Sequence, residues 1–256
     1  MEHRALAILV LTATLATACA DRSAEVARPT LEPTAASTTA PMPVATAMIT
    51  ATASPVAVAP SPPLFEAASA GDAATVRAQI ATRANLDAQD AQGRTALFLA
   101  SQRGHLEVAR LLLAAGANVN IADGNADTPY YVAALGRHAE LTGVLLDAGA
   151  NRIGTRAYGG TPLIAIAERG WVDVAREILK RPNIPVNHVN SLKWTALLEA
   201  IVLGKGGPDH QEIVRLLLAA GADPNIADGN GRSPLTLARD RGYVEIARMI
   251  EGAGGR

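Results

Sequence analysis

From Leu64 onward, apolar residues recur at helical spacing. Val108 with Leu112 and Leu113, Leu141 with Leu145 and Leu146, and Ile213 with Leu217 and Leu218 each place apolar side chains at i, i+4 on one helix face. A shorter stretch precedes each of these, opening at Thr95-Ala96-Leu97, Thr128-Pro129-Tyr130, Thr161-Pro162-Leu163, Thr195-Ala196-Leu197 and Ser233-Pro234-Leu235. Thr or Ser ahead of Pro reads as an N-cap followed by the first helical position, where the missing N–H of proline is no loss. Gly104, Gly170, Gly204 and Gly242 lie nine residues after the Thr or Ser and predict a left-handed turn into a second helix. Ala100, Ala133, Ala167 and Ala200 are small enough to let the first helices of successive pairs pack closely.

The openings are spaced by 33, 33, 34 and 38 residues. One helix pair cannot cover its own apolar face, so neighbours must stack, and stability accumulates with each interface. Asp90-Ala91-Gln92-Gly93 and Asp228-Gly229-Asn230-Gly231 open their units, and Gly116-Ala117, Gly149-Ala150 and Gly221-Ala222 close helices. In period and motif the segment from Leu64 to about Gly252 resembles the ankyrin-repeat family, whose unit is about 33 residues with a Thr-Pro-Leu opening. The resemblance implies an all-α solenoid of helix–turn–helix units joined by β-hairpin or loop fingers. The units fall at about 64–89 (a cap), 90–122, 123–155, 156–189, 190–227 and 228–256 (a second cap). At the C-terminal end Glu251 stands where other units have Leu113, Leu146, Leu179 and Leu218, as expected of a face turned to water.

The N-terminal residues follow another pattern. Arg4 precedes an uncharged stretch from Ala5 to Ala18 that includes Leu6-Ala7-Ile8-Leu9-Val10-Leu11, and small residues lead to Cys19. A basic start, an apolar run of roughly 7–15 residues and a small-residue end predict a signal peptide over 1–18. Ala18-Cys19 resembles a bacterial lipobox, although Ala16 stands where leucine is usual; the resemblance implies lipidation of Cys19, with plain cleavage and release as the alternative. Residues 19–63 are rich in Ala, Thr and Pro, with Pro29, Pro33, Pro41, Pro43, Pro55, Pro60, Pro62 and Pro63 blocking helix and sheet. They predict a disordered linker, either a tether reaching roughly 35 Å as a flexible coil or a spacer without a task. The expected location is thus the cell envelope by a lipid anchor or, without lipidation, the periplasm or exterior.

Composition narrows the function. The 256 residues are 49 % apolar but only 3 % aromatic, which suits small packed helices, and the net charge of −1 offers no basic stripe for nucleic acid. A single cysteine excludes an intramolecular disulfide and a multi-cysteine zinc site. No Ser-His-Asp spacing, HExxH motif or Walker A loop occurs. His105, His138 and His210 fall at the family's turn-histidine position, which points to structural capping of the second helix instead of metal binding or catalysis; no role is assigned to His188. The expectation is a non-enzymatic, monomeric module without cofactor or metal, whose partner is a protein client, with no nucleic acid and no membrane contact beyond a lipid anchor.

In the family, partners meet the finger tips and the exposed side of the first helices. Aligned units place Gln92, Asn125, Tyr158, Leu192 and Asn230 at one tip position, and Arg94, Asp127, Gly160, Trp194 and Arg232 at another. At the helix ends stand Arg169, Val202 and Leu203, among others. Aromatic and arginine anchors concentrate binding energy, so the candidate surface is Tyr158, Leu192, Trp194, Val202 and Leu203, with Arg169, Arg94 and Arg232. Trp194 carries the strongest expectation, against the alternative that it folds onto its neighbours, and Trp171 is expected to pack locally. The insertion from Gly204 to His210 reads as a surface loop. The leading function is an envelope module that supports or regulates a partner protein; a secreted effector or immunity-type inhibitor, or a structural spacer, are the alternatives.

Overall fold

The computed structural model describes residues 62–153 and 159–256, all within the unit Ser54–Arg256. The expected signal peptide, Cys19, nearly all of the linker and Tyr158 lie outside the described residues. Helices alternate in pairs: α1 (Pro62–Ala70) and α2 (Ala73–Ala81), α3 (Ala96–Arg103) and α4 (Leu106–Ala114), α5 (Pro129–Leu135) and α6 (Ala139–Asp147), α7 (Pro162–Arg169) and α8 (Val172–Leu179), α9 (Ala196–Val202) and α10 (Pro208–Ala219), α11 (Pro234–Asp240) and α12 (Val244–Gly252). The described residues contain no strand.

The first helices stack in one row, α1 on α3, α5, α7, α9 and α11, and the second helices stack in a parallel row from α2 to α12. Ala100, Ala133, Ala167 and Ala200 are fully buried where the first row closes up, and Leu112, Leu145, Ile178 and Leu217 fill the space between the rows. Glu251 is exposed and paired with Arg239 at the end of the stack.

Local chemistry sets where each helix starts. The hydroxyls of Thr95, Thr128, Thr195 and Ser233 accept from the backbone N–H three residues on, at 3.1–3.3 Å. Thr161 has the same extended backbone but makes no such cap bond. Gly104, Gly170 and Gly242 take the left-handed conformation at the end of the first helix, but the fourth expected glycine does not: Leu203 ends α9 in the right-handed region. In the third unit Arg137 holds the left-handed position, φ +60°, at a strain of roughly 1–2 kcal/mol.

The turn histidines require a correction. His105 and His138 stand at the N-caps of α4 and α6 but make no side-chain cap bond, and His210 lies inside α10. Instead the ring N–H of His105 donates to the carbonyl of Ser69, 3.0 Å away, and that of His210 to Glu168, 2.9 Å away. Each ring thus satisfies a carbonyl left over at the end of the preceding unit's first helix. In the last unit the Tyr243 hydroxyl donates to Gly204 O at 3.0 Å, and its ring covers Gly206. The 204–210 insertion is therefore held at Gly204 and Gly206 by Tyr243 and continues from Pro208 into α10, instead of forming a free loop.

A second bond joins units on the finger side. The side-chain oxygen of Asp87 accepts from Asn118 N–H, that of Asn120 from Asn151, that of Asn187 from Asp223 and that of Asn225 from Arg256, at 2.7–3.0 Å. Asn120, Asn187 and Asn225 also donate to the carbonyls of Gly149, Gly221 and Gly254.

Candidate functional site

Each described finger is a short loop built on an Asp or Asn. The Oδ1 atoms of Asp90, Asp123, Asn190 and Asp228 accept from the N–H groups two and four residues on, at 2.9–3.0 Å. The chain closes with a backbone bond such as Asp90 N–H to Arg94 O at 3.0 Å, and a left-handed residue (Gly93, Ala126, Lys193 or Gly231) before it. This is the hairpin loop in which a type I turn is followed by a left-handed residue. It holds residues such as Leu192 out at the tip.

The candidate contact residues divide accordingly. Leu192 and Leu203 are exposed, at 39 % and 45 %. Trp194 and Val202 are half-buried and pack on the core. Arg94 and Arg232 are engaged in their own fingers, paired with Asp90 at 2.7 Å and Asp228 at 2.9 Å, far apart in the stack. Arg169 donates to Ala165 O, lies 3.6 Å from the Glu168 carboxylate and sits over the Trp171 ring at 5.4 Å. Arg137 also approaches that ring, at 6.0 Å, so Trp171 is held locally between two cations. His188 turns back to the carbonyl of Gly159.

Of the candidate residues Leu192 lines a groove of about 390 Å³ along the first-helix row. The groove runs from Asn125 and Tyr131 past Ile164 and Glu168 of α7 to Glu199 of α9. Its floor was not among the expected contacts. Glu199 stands four residues after Thr195, where the other units have Leu99, Val132, Ala165 and Leu237. It is the one charged residue at a position otherwise apolar, and that alignment is the signal by which the sequence could have shown it.

Glu199 is 6 % exposed. Its Oε1 accepts from Asn190 Nδ2 at 3.3 Å, while Oε2 is buried without a hydrogen-bond partner among the described residues. Burial, with the nearby Glu168 charge, pushes its carboxyl up to about 7, against the opposing pull of the Asn190 hydrogen bond and the Arg169 charge. Among the described residues no cluster of three His, Cys, Asp or Glu could hold a metal, and no helix is long and apolar enough to cross a membrane.

Comparison with known proteins agrees with this architecture. The family model for ankyrin repeats in three copies matches residues 64–156 and 144–228, and that for many copies matches 207–250. The ankyrin repeat protein YahD of Escherichia coli is 46 % identical over 97 residues, covering 38 % of this chain and 48 % of YahD. An ankyrin repeat-containing protein of Treponema pallidum is 34 % identical over 97 residues, or 37 % of this chain and 30 % of that protein. The chain thus spans about half or less of these curated relatives. An ankyrin repeat domain of Acinetobacter baumannii superposes with a TM-score of 0.72 at 43 % identity, covering 76 % of this chain and 98 % of that one. A chain in the crystal structure of a predatory endopeptidase of Bdellovibrio bacteriovorus in complex with an immunity protein superposes at 0.61 with 27 % identity, covering 75 % and 98 %. With both the repeat geometry and the family models spanning residues 64 to 250, the chain belongs to the ankyrin-repeat family.

Proposed function

We propose that the chain is a non-enzymatic protein-binding module of the bacterial cell envelope, which holds a client protein against the groove between α5, α7 and α9 and supports or regulates it. The observation that carries this reading is Leu192, kept exposed at a finger tip beside a concave, part-apolar groove. A concave, part-apolar groove with a few convergent polar groups has the usual form of a binding site, and Leu192 extends its apolar wall to the tip. Export rests on the sequence alone, on the 1–18 segment and Cys19. A second reading, an immunity-type inhibitor directed at a foreign protein, draws support from the likeness to a chain of the Bdellovibrio endopeptidase–immunity complex.

The test is site-specific photocrosslinking in intact cells. A benzophenone amino acid at position 192 is expected to give one discrete adduct, absent when the probe replaces Glu245 on the outer helix α12. Equal adduct patterns from both positions would refute a client on this face. Fractionation of wild type and Cys19→Ser tests the location: lipidation predicts an acyl mass and membrane retention lost in the variant, and equal solubility of the two would remove the anchor.

A further inference from the structure

A carboxylate that replaces leucine or alanine in an apolar row is costly unless something pairs with it, because its charge has left water. Glu199 has such a place, and the protein satisfies only half of it. Asn190 reaches Oε1; Oε2 has no partner among the described residues. The groove above it also contains the Glu168 carboxylate and no lysine or arginine in its described lining. Its walls are apolar at Tyr131, Ile164 and Leu192.

We propose that this groove seats a basic side chain of the protein client, a lysine ammonium or arginine guanidinium, which pairs with Glu199 and Glu168 while its aliphatic stem lies along Ile164 and Leu192. The inference rests on the protein-binding reading above and names the chemistry that the client presents. The two acids supply the charge complement, and the apolar walls select a long-stemmed cation over a bare ammonium ion, since lysine and arginine stems bury well while their heads stay polar. Because Glu199 is already desolvated in the free chain, much of the cost of burying that charge is met before the cation arrives, which favours pairing here over pairing at an exposed rim.

The groups facing Glu199 fix the pH behaviour. Glu168 opposes its ionisation, Arg169 and Asn190 favour it, and its carboxyl sits at about 7. A cation arriving beside Oε2 therefore expels a proton from the fraction that is protonated at neutral pH.

The experiment uses the full chain and three capped peptides: acetyl-Ala-Lys-Ala-amide, the arginine equivalent, and the same peptide with norleucine. Glu199 is followed by the carbon-13 shift of its carboxyl across pH. Lysine or arginine peptide is expected to bind saturably and to lower the Glu199 midpoint by at least about one unit, equivalent to tenfold tighter binding by the ionised form. Norleucine should leave it in place. Glu199→Gln should weaken the basic peptides by about tenfold or more while keeping the helical circular-dichroism spectrum, and Glu199→Asp should retain part of the affinity if Gln unfolds the chain. An unmoved midpoint, or equal binding of norleucine and lysine, overturns the proposal. The peptides need no client, so their failure is separable: a client crosslinked at 192 but insensitive to Glu199→Gln refutes this inference alone, while peptide binding without any crosslinked client refutes only the larger function.

Discussion

Ile153 and Pro185 occupy the two sides of a bond that neither can make. At the neighbouring junctions an Asp or Asn side chain accepts from a backbone N–H of the next unit, as Asn120 does from Asn151 at 2.7 Å. Ile153 is aligned with Asn120, and Pro185 with Asn118, so the acceptor and the donor are lost together at the junction between the third and fourth units. Pro185→Asn alone supplies a donor without an acceptor and should change stability by less than about 1 kcal/mol, whatever its unfolded-state effect, while Ile153→Asn alone can recover only an amide-to-carbonyl bond like that of Asn120 to Gly149. Ile153→Asn with Pro185→Asn should show a favourable coupling of about 1 kcal/mol in a double-mutant cycle by urea unfolding. A coupling indistinguishable from zero would mean that the two positions do not face the same bond.

Glu199 makes stability depend on pH in an unusual direction. Its carboxyl is raised in the folded chain, so the folded state binds the extra proton and stability falls as pH rises from about 4.5 to about 7, levelling above that. The amount is on the order of 3 kcal/mol, at 1.36 kcal/mol per unit. Glu199→Gln should flatten that interval and raise the melting temperature at pH 8. An unchanged pH profile between 5 and 8 would show that Glu199 ionises freely.

The core prediction concerns Leu145, fully buried between the helix rows. Leu145→Ala should cost roughly 2–5 kcal/mol, through lost burial and the cavity left behind. Chemical unfolding monitored by circular dichroism measures it, and a loss below about 0.5 kcal/mol would contradict the placement.

Leu192 and Trp194 should separate binding from folding. Leu192→Ala removes an exposed tip residue and is expected to leave the melting temperature within about 2 °C while weakening the client. Trp194 is half-buried on the core, so Trp194→Ala should also destabilise, by about 1–3 kcal/mol. If Trp194→Ala melts like wild type, its packing is not contributing.

Gly143 within α6 lies beneath a charge cluster: a Cβ there would come within 2.5 Å of Arg181 Nη2 and 2.6 Å of Glu177 Oε1. Both atoms are the far ends of long side chains, so in Gly143→Ala they should swing aside, loosening Arg181 from Asp147 while the better helix propensity of alanine offsets the loss, for a net change within about 1 kcal/mol. A loss above about 2 kcal/mol in urea unfolding would show that Arg181 cannot move aside.

The architecture was readable in the sequence because each unit repeats the same local instructions. Thr-Pro caps, spaced leucines and buried alanines point to one answer at every unit, so agreement across repeats amplified weak signals. What escaped was anything that depends on what lies next door. His105 and His210 occupy the expected turn position, yet their partners are carbonyls of the preceding unit, which no window within one repeat contains. Arg94 and Arg232 read as free cations at a tip, but the Asp four residues earlier binds each of them. Glu199 is an ordinary helix residue until its column is compared across units; only burial reveals its half-paired state.

The Arg181 cluster acquires a further meaning at the seam that lacks the amide clasp. Asp147 belongs to the third unit and Arg181 to the fourth, and the guanidinium grips the carboxylate with two bonds, 2.9 and 2.7 Å, while also holding Glu177 at 2.6 Å. The Arg181 bonds keep Asp147 below the usual carboxylate range, and Lys180 followed by Arg181 does the same for Glu177. Ion pairs cross other seams too, Arg77 to Glu107, Arg110 to Glu140 and Arg176 to Glu212, but each of those seams also keeps its side-chain-to-backbone clasp. Among the described residues the third seam has no such clasp beside its charges, so added electrolyte, or pH falling through the carboxylate range, should weaken the coupling between the first three units and the last three more than it weakens any other joint.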